Sequence, residues 1–213
     1  MRIYVITILL VTLFFSCAQD TRSDPGAGPP TGTVQPLPDT VRFAGKAREA
    51  LTYARARKMS TNRCILIDMS VHSGLNRLVE WDFKTGSIRS ATLVTHGCGT
   101  AAWAADHSRQ APRFSNVPES HLSSLGRYRI GARGPSQWGI GVKYLLHGLD
   151  TTNNNALKRY IVLHSWDKVQ NREVYPSGAP ESWGCPAVSD AYMTYLDTVL
   201  QNEKRPVLLW IYY

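Results

Sequence analysis

The chain has 213 residues, 43% of them hydrophobic and 10% aromatic, and its 24 Lys and Arg against 16 Asp and Glu give a formal net charge of +8. That composition suits one globular domain with extensions and excludes a disordered chain. The positive charge is scattered rather than blocked and fits a polyanionic partner. No zinc-finger spacing, basic helix with heptads or aromatic RNA-binding signature accompanies it, so no nucleic-acid partner is expected.

Met1 and Arg2 precede an apolar run from Ile3 to Phe15, which ends at Ser16 and Cys17. One positive charge, an apolar stretch and a small residue before the break make an export signal. The run is too short for a comfortable membrane span, which needs about 20 apolar residues. Leu13-Phe14-Phe15-Ser16-Cys17 resembles a bacterial lipobox. That resemblance implies a signal peptide over residues 1–16 and lipid attachment at Cys17, giving an exported lipoprotein anchored to a membrane of the cell envelope and facing the periplasm; an uncleaved anchor and a soluble secreted product are the alternatives. Between Cys17 and Thr40 stand five prolines, three glycines and almost nothing apolar, so residues 17–40 read as a tether and 41–213 as the folded domain.

From about Phe43, Ala47, Ala50, Leu51 and Ala54 recur at helical spacing and predict a short amphipathic helix. Alternation at Ile65, Ile67 and Met69 predicts a strand. Residues 77–83, Lys84-Thr85-Gly86 and residues 88–94 predict a hairpin with a glycine turn. Further strands are expected at 127–131, 142–147, 160–164 and 207–212, with one helix from about Asp190 to Leu200 capped by Ser189. The fold class is therefore mainly β with minor helix. The weakly periodic stretch from Gly97 to Leu125 is long for a compact domain and is read as a lid or substrate-binding wall.

With Cys17 lipidated, Cys64, Cys98 and Cys185 remain, an odd number that leaves at least one free thiol. Cys64 lies in an apolar strand pattern and suits the core. Cys98 and Cys185 each adjoin a glycine. His164 ends an apolar strand, and Cys185 follows 21 residues later in Ser182-Trp183-Gly184-Cys185-Pro186-Ala187-Val188. A catalytic thiol needs an imidazole within reach, and a nearby helix N-terminus helps it ionise. Pro186 has no N–H, so an oxyanion hole here would use the amides of Gly184 and Cys185 or donors elsewhere. A glycine–proline turn around a buried cysteine fits the same residues equally well.

The order His…Ser-Xaa-Gly-Cys resembles the signature of the L,D-transpeptidases, the YkuD-like catalytic domain, and closest to a murein L,D-transpeptidase subfamily. The likeness rests on Ile67-Asp68-Met69-Ser70…Arg77-Leu78, Val94-Thr95-His96-Gly97, Phe114-Ser115-Asn116, Ser123-Ser124-Leu125-Gly126 and Ser182 to Val188, and covers roughly residues 45–213. It implies a β-sandwich or barrel-like catalytic domain with Cys185 as nucleophile, His164 as general base and the Ser165 carbonyl orienting the imidazole. Ser182, Trp183 and Gly184 would support the site and its oxyanion hole; His96 either lines the site with residues 114–116 and 123–124 or is a loop histidine among turn residues. The implied reaction forms an acyl-enzyme on peptidoglycan stem peptides and makes 3→3 cross-links, with no cofactor. Water or a protein lysine as acceptor would make it a carboxypeptidase or an anchoring enzyme. Trp183 stands where many members have histidine, and Ala187 where many have asparagine.

Other chemistries fit less well. No Cys-Xaa-Xaa-Cys pair or His-Glu-Xaa-Xaa-His helix offers a metal site. Papain-like enzymes place cysteine before histidine, whereas no histidine follows Cys185. A sortase matches the order His164, Cys185, Arg205, but its histidine lies much farther upstream. A non-catalytic wall-binding lipoprotein remains as a reading from a different class.

Overall fold

The computed structural model describes residues 37–213. The expected leader, Cys17 and nearly all of the tether lie outside the described residues. Helix α1 spans Thr40–Ala56 and is started by Asp39, whose side chain accepts from the Val41 N–H at 2.9 Å. It begins three residues before the expected position because that cap stands ahead of the first apolar residue. Phe43, Ala47, Ala50 and Ala54 form its buried stripe, while Leu51 lies only half-buried at its edge.

The strands are β1 Arg63–Asp68, β2 Leu78–Asp82, β3 Ser87–Thr92, β4 Gly126–Pro135, β5 Val142–Gly148, β6 Val162–Ser165, β7 Ala187–Val188 and β8 Leu208–Tyr212, with helix α2, Asp190–Gln201, before the last. They make one eight-stranded sheet in the order β3-β2-β1-β8-β4-β5-β6-β7, curled into a nearly closed barrel-like shape. Among the described strands β1 with β8 and β6 with β7 are the parallel pairs. The expected mainly β fold with minor helix is what the chain adopts.

Both faces of the sheet are covered, and β1 shows how. Cys64 and Leu66 point into a layer with Phe43, Ala47, Ala50 and Ala54 of α1, while Ile65 and Ile67 point into the main core with Tyr192, Met193, Leu196 and Leu200 of α2. Polar anchors fix α2 in place. Buried Glu80 on β2 is paired with Arg63 and accepts from Tyr195 at 2.6 Å and Ser90 at 2.9 Å. Asp197 holds Arg133 through two bonds of 2.8 and 2.9 Å and takes the Tyr144 hydroxyl at 2.6 Å. A buried carboxylate is tolerable only when its oxygens are satisfied in this way.

Two details depart from expectation. Tyr160 and Ile161 are not in β6: residues 151–160 form a run of turns that Tyr160 closes at φ +55, with the Ile161 N–H returning to the Ala156 carbonyl at 2.9 Å. The pair Ala187–Val188, too short to show a period, is a strand that lies parallel to β6.

Candidate active site

Strand β6 and its two-residue partner set the geometry. His164 pairs with Ala187 and Ser165 with Val188, which places Cys185, two residues before Ala187, beside the start of β6. The Val162 N–H reaches the Cys185 Sγ at 3.4 Å, and the thiol donates to the Tyr160 carbonyl at 3.5 Å. Both Cys185 and His164 line a cavity of about 440 Å³ walled by Trp103, His121, Arg159, Trp166 and Trp183. They also line a second cavity of about 550 Å³ bounded by Ser136, Lys143, Leu157 and Val162. Tyr160 and Trp138 stand at the divide, since each faces both.

The turn that carries Cys185 is clamped from three sides. Gly184 has φ +105, and a Cβ there would lie 2.7 Å from the Leu122 carbonyl oxygen, so only glycine fits. The Ser123 hydroxyl donates to the Gly184 carbonyl at 3.1 Å. The Cys185 carbonyl accepts from Ser182 Oγ at 2.7 Å and Thr95 Oγ1 at 2.8 Å, while the Ala187 N–H returns to Thr95 Oγ1 at 2.9 Å. The Gly184 N–H is spent on Ser182 Oγ at 3.1 Å, which corrects the expectation that it serves an oxyanion hole. The Cys185 N–H has no acceptor among the described residues and is left free to serve.

The imidazole of His164 is buried, and its Nδ1 lies 2.8 Å from the Ser165 carbonyl oxygen. A carbonyl only accepts, so Nδ1 carries the proton and Nε2 keeps its lone pair. Burial, then repulsion from Lys143, holds the pKa of His164 below the usual imidazole value despite the Ser165 bond. Burial pushes the Cys185 thiol up, opposed by the Val162 N–H and by the positive charges of Arg159 and Lys143. The two shifts favour the neutral forms, a thiol and an unprotonated base that line the same cavities. The expected help from the α2 dipole is not the arrangement found. Ser189 caps that helix, β7 separates it from Cys185, and the sulfur faces the backbone of residues 160–162 instead.

Of the other expected residues, Ser182 and Trp183 line the first cavity. Ser165 also accepts the Ile140 N–H at its hydroxyl, 3.0 Å away. His96 does not line the site. Its fully buried ring accepts from Arg77 at 2.8 Å on Nδ1 and faces Ser108 and Glu181 through Nε2 at 2.9 and 3.3 Å. Because arginine only donates, Nε2 must hold the proton, and His96 is a structural tie. Its carbonyl, however, accepts the Ser182 N–H at 2.7 Å and so holds the Cys185 turn through the backbone.

Part of the 97–125 stretch, read as a lid or substrate-binding wall, lines the first cavity. Glu119 and His121 come from it, and so does Trp103, which stacks on Trp166 with ring centroids 5.2 Å apart. Phe114 bridges Ser123, and Arg159 is locked beneath by the Ser115 and Leu122 carbonyls and the Ser120 and Ser124 hydroxyls. Arg159, Tyr160, Trp103, Trp138 and Lys143 were missed in the sequence; they sit in turns, loops or polar strand positions with no local pattern to mark them.

Known proteins bear on this arrangement. A model of the L,D-transpeptidase catalytic domain matches residues 39–212. No curated protein matches the chain. Similar solved structures include the L,D-transpeptidase of Xylanimonas cellulosilytica (11% identity, 76% of this chain and 68% of that one, TM-score 0.39). A second is the Ldtfm–avibactam carbamoyl enzyme (11%, 71% and 49%, 0.40). A third is the helical cell shape determining protein Pgp2 of Campylobacter jejuni (11%, 70% and 46%, 0.40). The chain thus spans about half the length of the latter two. With the domain model running from the N-cap of α1 to the end of β8 around this cysteine–histidine site, the chain belongs to the L,D-transpeptidase catalytic domain family.

Proposed function

We propose that this domain is a cysteine-dependent acyltransferase that joins peptidoglycan stem peptides through 3→3 cross-links. The observation that carries the reading is that Cys185 and His164 line two cavities at once, each of a size that holds a small ligand. A nucleophile shared by two spaces suits a reaction in which one peptide is captured as an acyl group and a second arrives to take it.

His164 Nε2 takes the thiol proton as Sγ attacks the carbonyl that joins an L-centre to the terminal D-residue. The oxyanion is met by the free Cys185 N–H. The imidazolium, held in orientation by the Ser165 carbonyl, gives its proton to the departing D-amino acid and leaves a thioester on Cys185. The amine of the second stem then attacks the thioester, His164 accepts its proton, and the thiol is restored. Trp183, where many relatives carry histidine, alters the wall of the first cavity, while Ala187, where many carry asparagine, is buried in the core; both leave nucleophile and base intact.

In this reading the apolar leader exports the chain and lipid at Cys17 holds it at a membrane of the envelope, with the tether letting the domain reach the wall. Incubation of the full chain with purified tetrapeptide muropeptides, beside Cys185→Ala, checks the proposal. Cross-linked dimers from the native protein alone support it. Tripeptide without dimers points to a carboxypeptidase, and equal products from both proteins refute cysteine catalysis. Lipid-precursor labelling of native protein and Cys17→Ala tests the anchor, which unchanged labelling would refute.

A further inference from the structure

Four of the six tryptophans of the chain line the cavity that holds Cys185. Trp166 is buried, and Trp103 lies flat on it with 2° between the ring planes. Trp138 meets both edge-on, at 5.7 and 6.1 Å between centroids. Trp183 leans on Trp103 at 5.6 Å, and its other contact is the ring of His121, stacked at 5.0 Å.

Trp166 belongs to a buried cluster with Leu93, Val169 and Ala187, but the other three indoles do not serve the core. Trp103 and Trp138 are each 45% exposed and Trp183 58%, although burying such large apolar side chains is favourable. A contiguous exposed aromatic surface in a folded domain marks a binding site. The rim is also fixed relative to the nucleophile. The Ala104 N–H next to Trp103 donates to the Glu181 carbonyl at 3.2 Å, and Ser108 N–H to the Glu181 carboxylate at 3.0 Å. The Cys98 N–H reaches the Ser182 carbonyl at 2.8 Å. The loop that bears Trp103 is thus bonded to the segment that leads into Cys185, and a ligand meets a preformed surface.

The chemistry of the rim selects its occupant. Stem peptides offer methyl groups, carboxylates and amines, none of which covers several indole faces. A pyranose ring presents a flat face of C–H bonds, whose partial positive charge complements the negative indole face, edged by hydroxyl and acetamido groups. Polar side chains for that edge stand at the same cavity in Glu119 and His121. We propose that the Trp103–Trp138–Trp183 rim is a saccharide subsite that holds an N-acetylated amino sugar of the glycan strand beside the stem presented to Cys185. This rests on the peptidoglycan reading above.

Two experiments on the full chain separate the subsite from that reading. In the first, Cys185→Ala protein is titrated with an N-acetylglucosamine tetramer and followed by tryptophan fluorescence, with saturation-transfer NMR from the native indoles to the sugar C–H protons as the measurement that needs no rim variant. A saturable signal is expected, with affinity lowered at least about tenfold by Trp103→Ala or Trp183→Ala and less by Trp103→Phe. No saturable binding, equal binding by the variants, or occupation of the rim by an apolar peptide in place of sugar overturns the subsite. In the second, acylation of Cys185 is compared for a disaccharide-tetrapeptide and the free tetrapeptide. The disaccharide substrate is expected to react at least about tenfold faster, a ratio that Trp103→Ala brings toward about one. Equal rates in the native protein overturn the subsite while the acyltransferase reading stands. Sugar binding without acylation of either substrate supports the subsite and removes that reading.

Discussion

The two faces of the domain treat apolar residues in opposite ways. On the α1 side, Phe43, Ala47, Ala50 and Ala54 vanish against Cys64, Leu66 and Trp81, and the small alanines let the helix lie close to the sheet. On the Cys185 side, larger aromatic side chains gather and stay in the open, next to a thiol and an imidazole whose pKa values burial has displaced toward their neutral forms. One face is organised to exclude water permanently. The other leaves Trp103, Trp138 and Trp183 about half exposed around the cavity that Cys185 and His164 line. Where apolar area and titratable groups are left together and unfilled, function is the better explanation than stability.

Changes on the two faces should therefore separate activity from stability. The largest effect is expected from His164→Ala, which removes the proton carrier and should lower the acylation rate by about 10²–10⁴-fold with the thermal midpoint little changed. Activity and melting measured on the same preparation check this. Phe43→Ala should do the reverse. Removing a fully buried aromatic ring should cost about 3–5 kcal/mol in denaturant unfolding while turnover of the remaining folded protein is kept. Gly184→Ala breaks the division, because its Cβ would strike the Leu122 carbonyl and its φ is strained for any side chain. It should cost roughly 1–3 kcal/mol and also impair acylation by displacing Cys185, as urea titration and kinetics together would reveal.

The smallest expected effect is a shift in pH dependence. Since the neutral imidazole is the base and its pKa is depressed, kcat/KM should rise with pH through a midpoint below about 6.5 and be level at neutrality. Lys143 contributes to that depression, so Lys143→Gln should move the acid limb to higher pH; an unmoved limb would assign the shift to burial alone.

Legibility in the sequence followed periodicity. The strands with alternating or continuous apolar runs, the Gly86 hairpin and the Ser189-capped helix were readable because burial on a period of two or 3.6 leaves a pattern within a few residues. His164 and Cys185 were singled out by chain order and a flanking glycine, and only the family resemblance separated that reading from a cysteine buried in a glycine–proline turn. What stayed hidden depends on contacts distant in sequence. Trp103, Trp138, Trp166 and Trp183 meet only in the folded chain, and β7 is a strand solely because β6 lies beside it. His96 read as a wall of the site since a loop histidine before a glycine gives no hint of a buried arginine waiting for its Nδ1. The oxyanion donors were only half legible, because a serine two residues upstream engages the Gly184 amide.

The central claim is that Cys185 carries the acyl group between the two cavities. Intact-protein mass spectrometry of the full chain mixed briefly with a tetrapeptide muropeptide tests it most directly. The expected result is a mass increase equal to the donor less its terminal D-residue, mapped by peptide digestion to Cys185, absent in Cys185→Ala and discharged when an acceptor amine is added. An adduct on another residue, or product formed with Cys185 replaced, would contradict it.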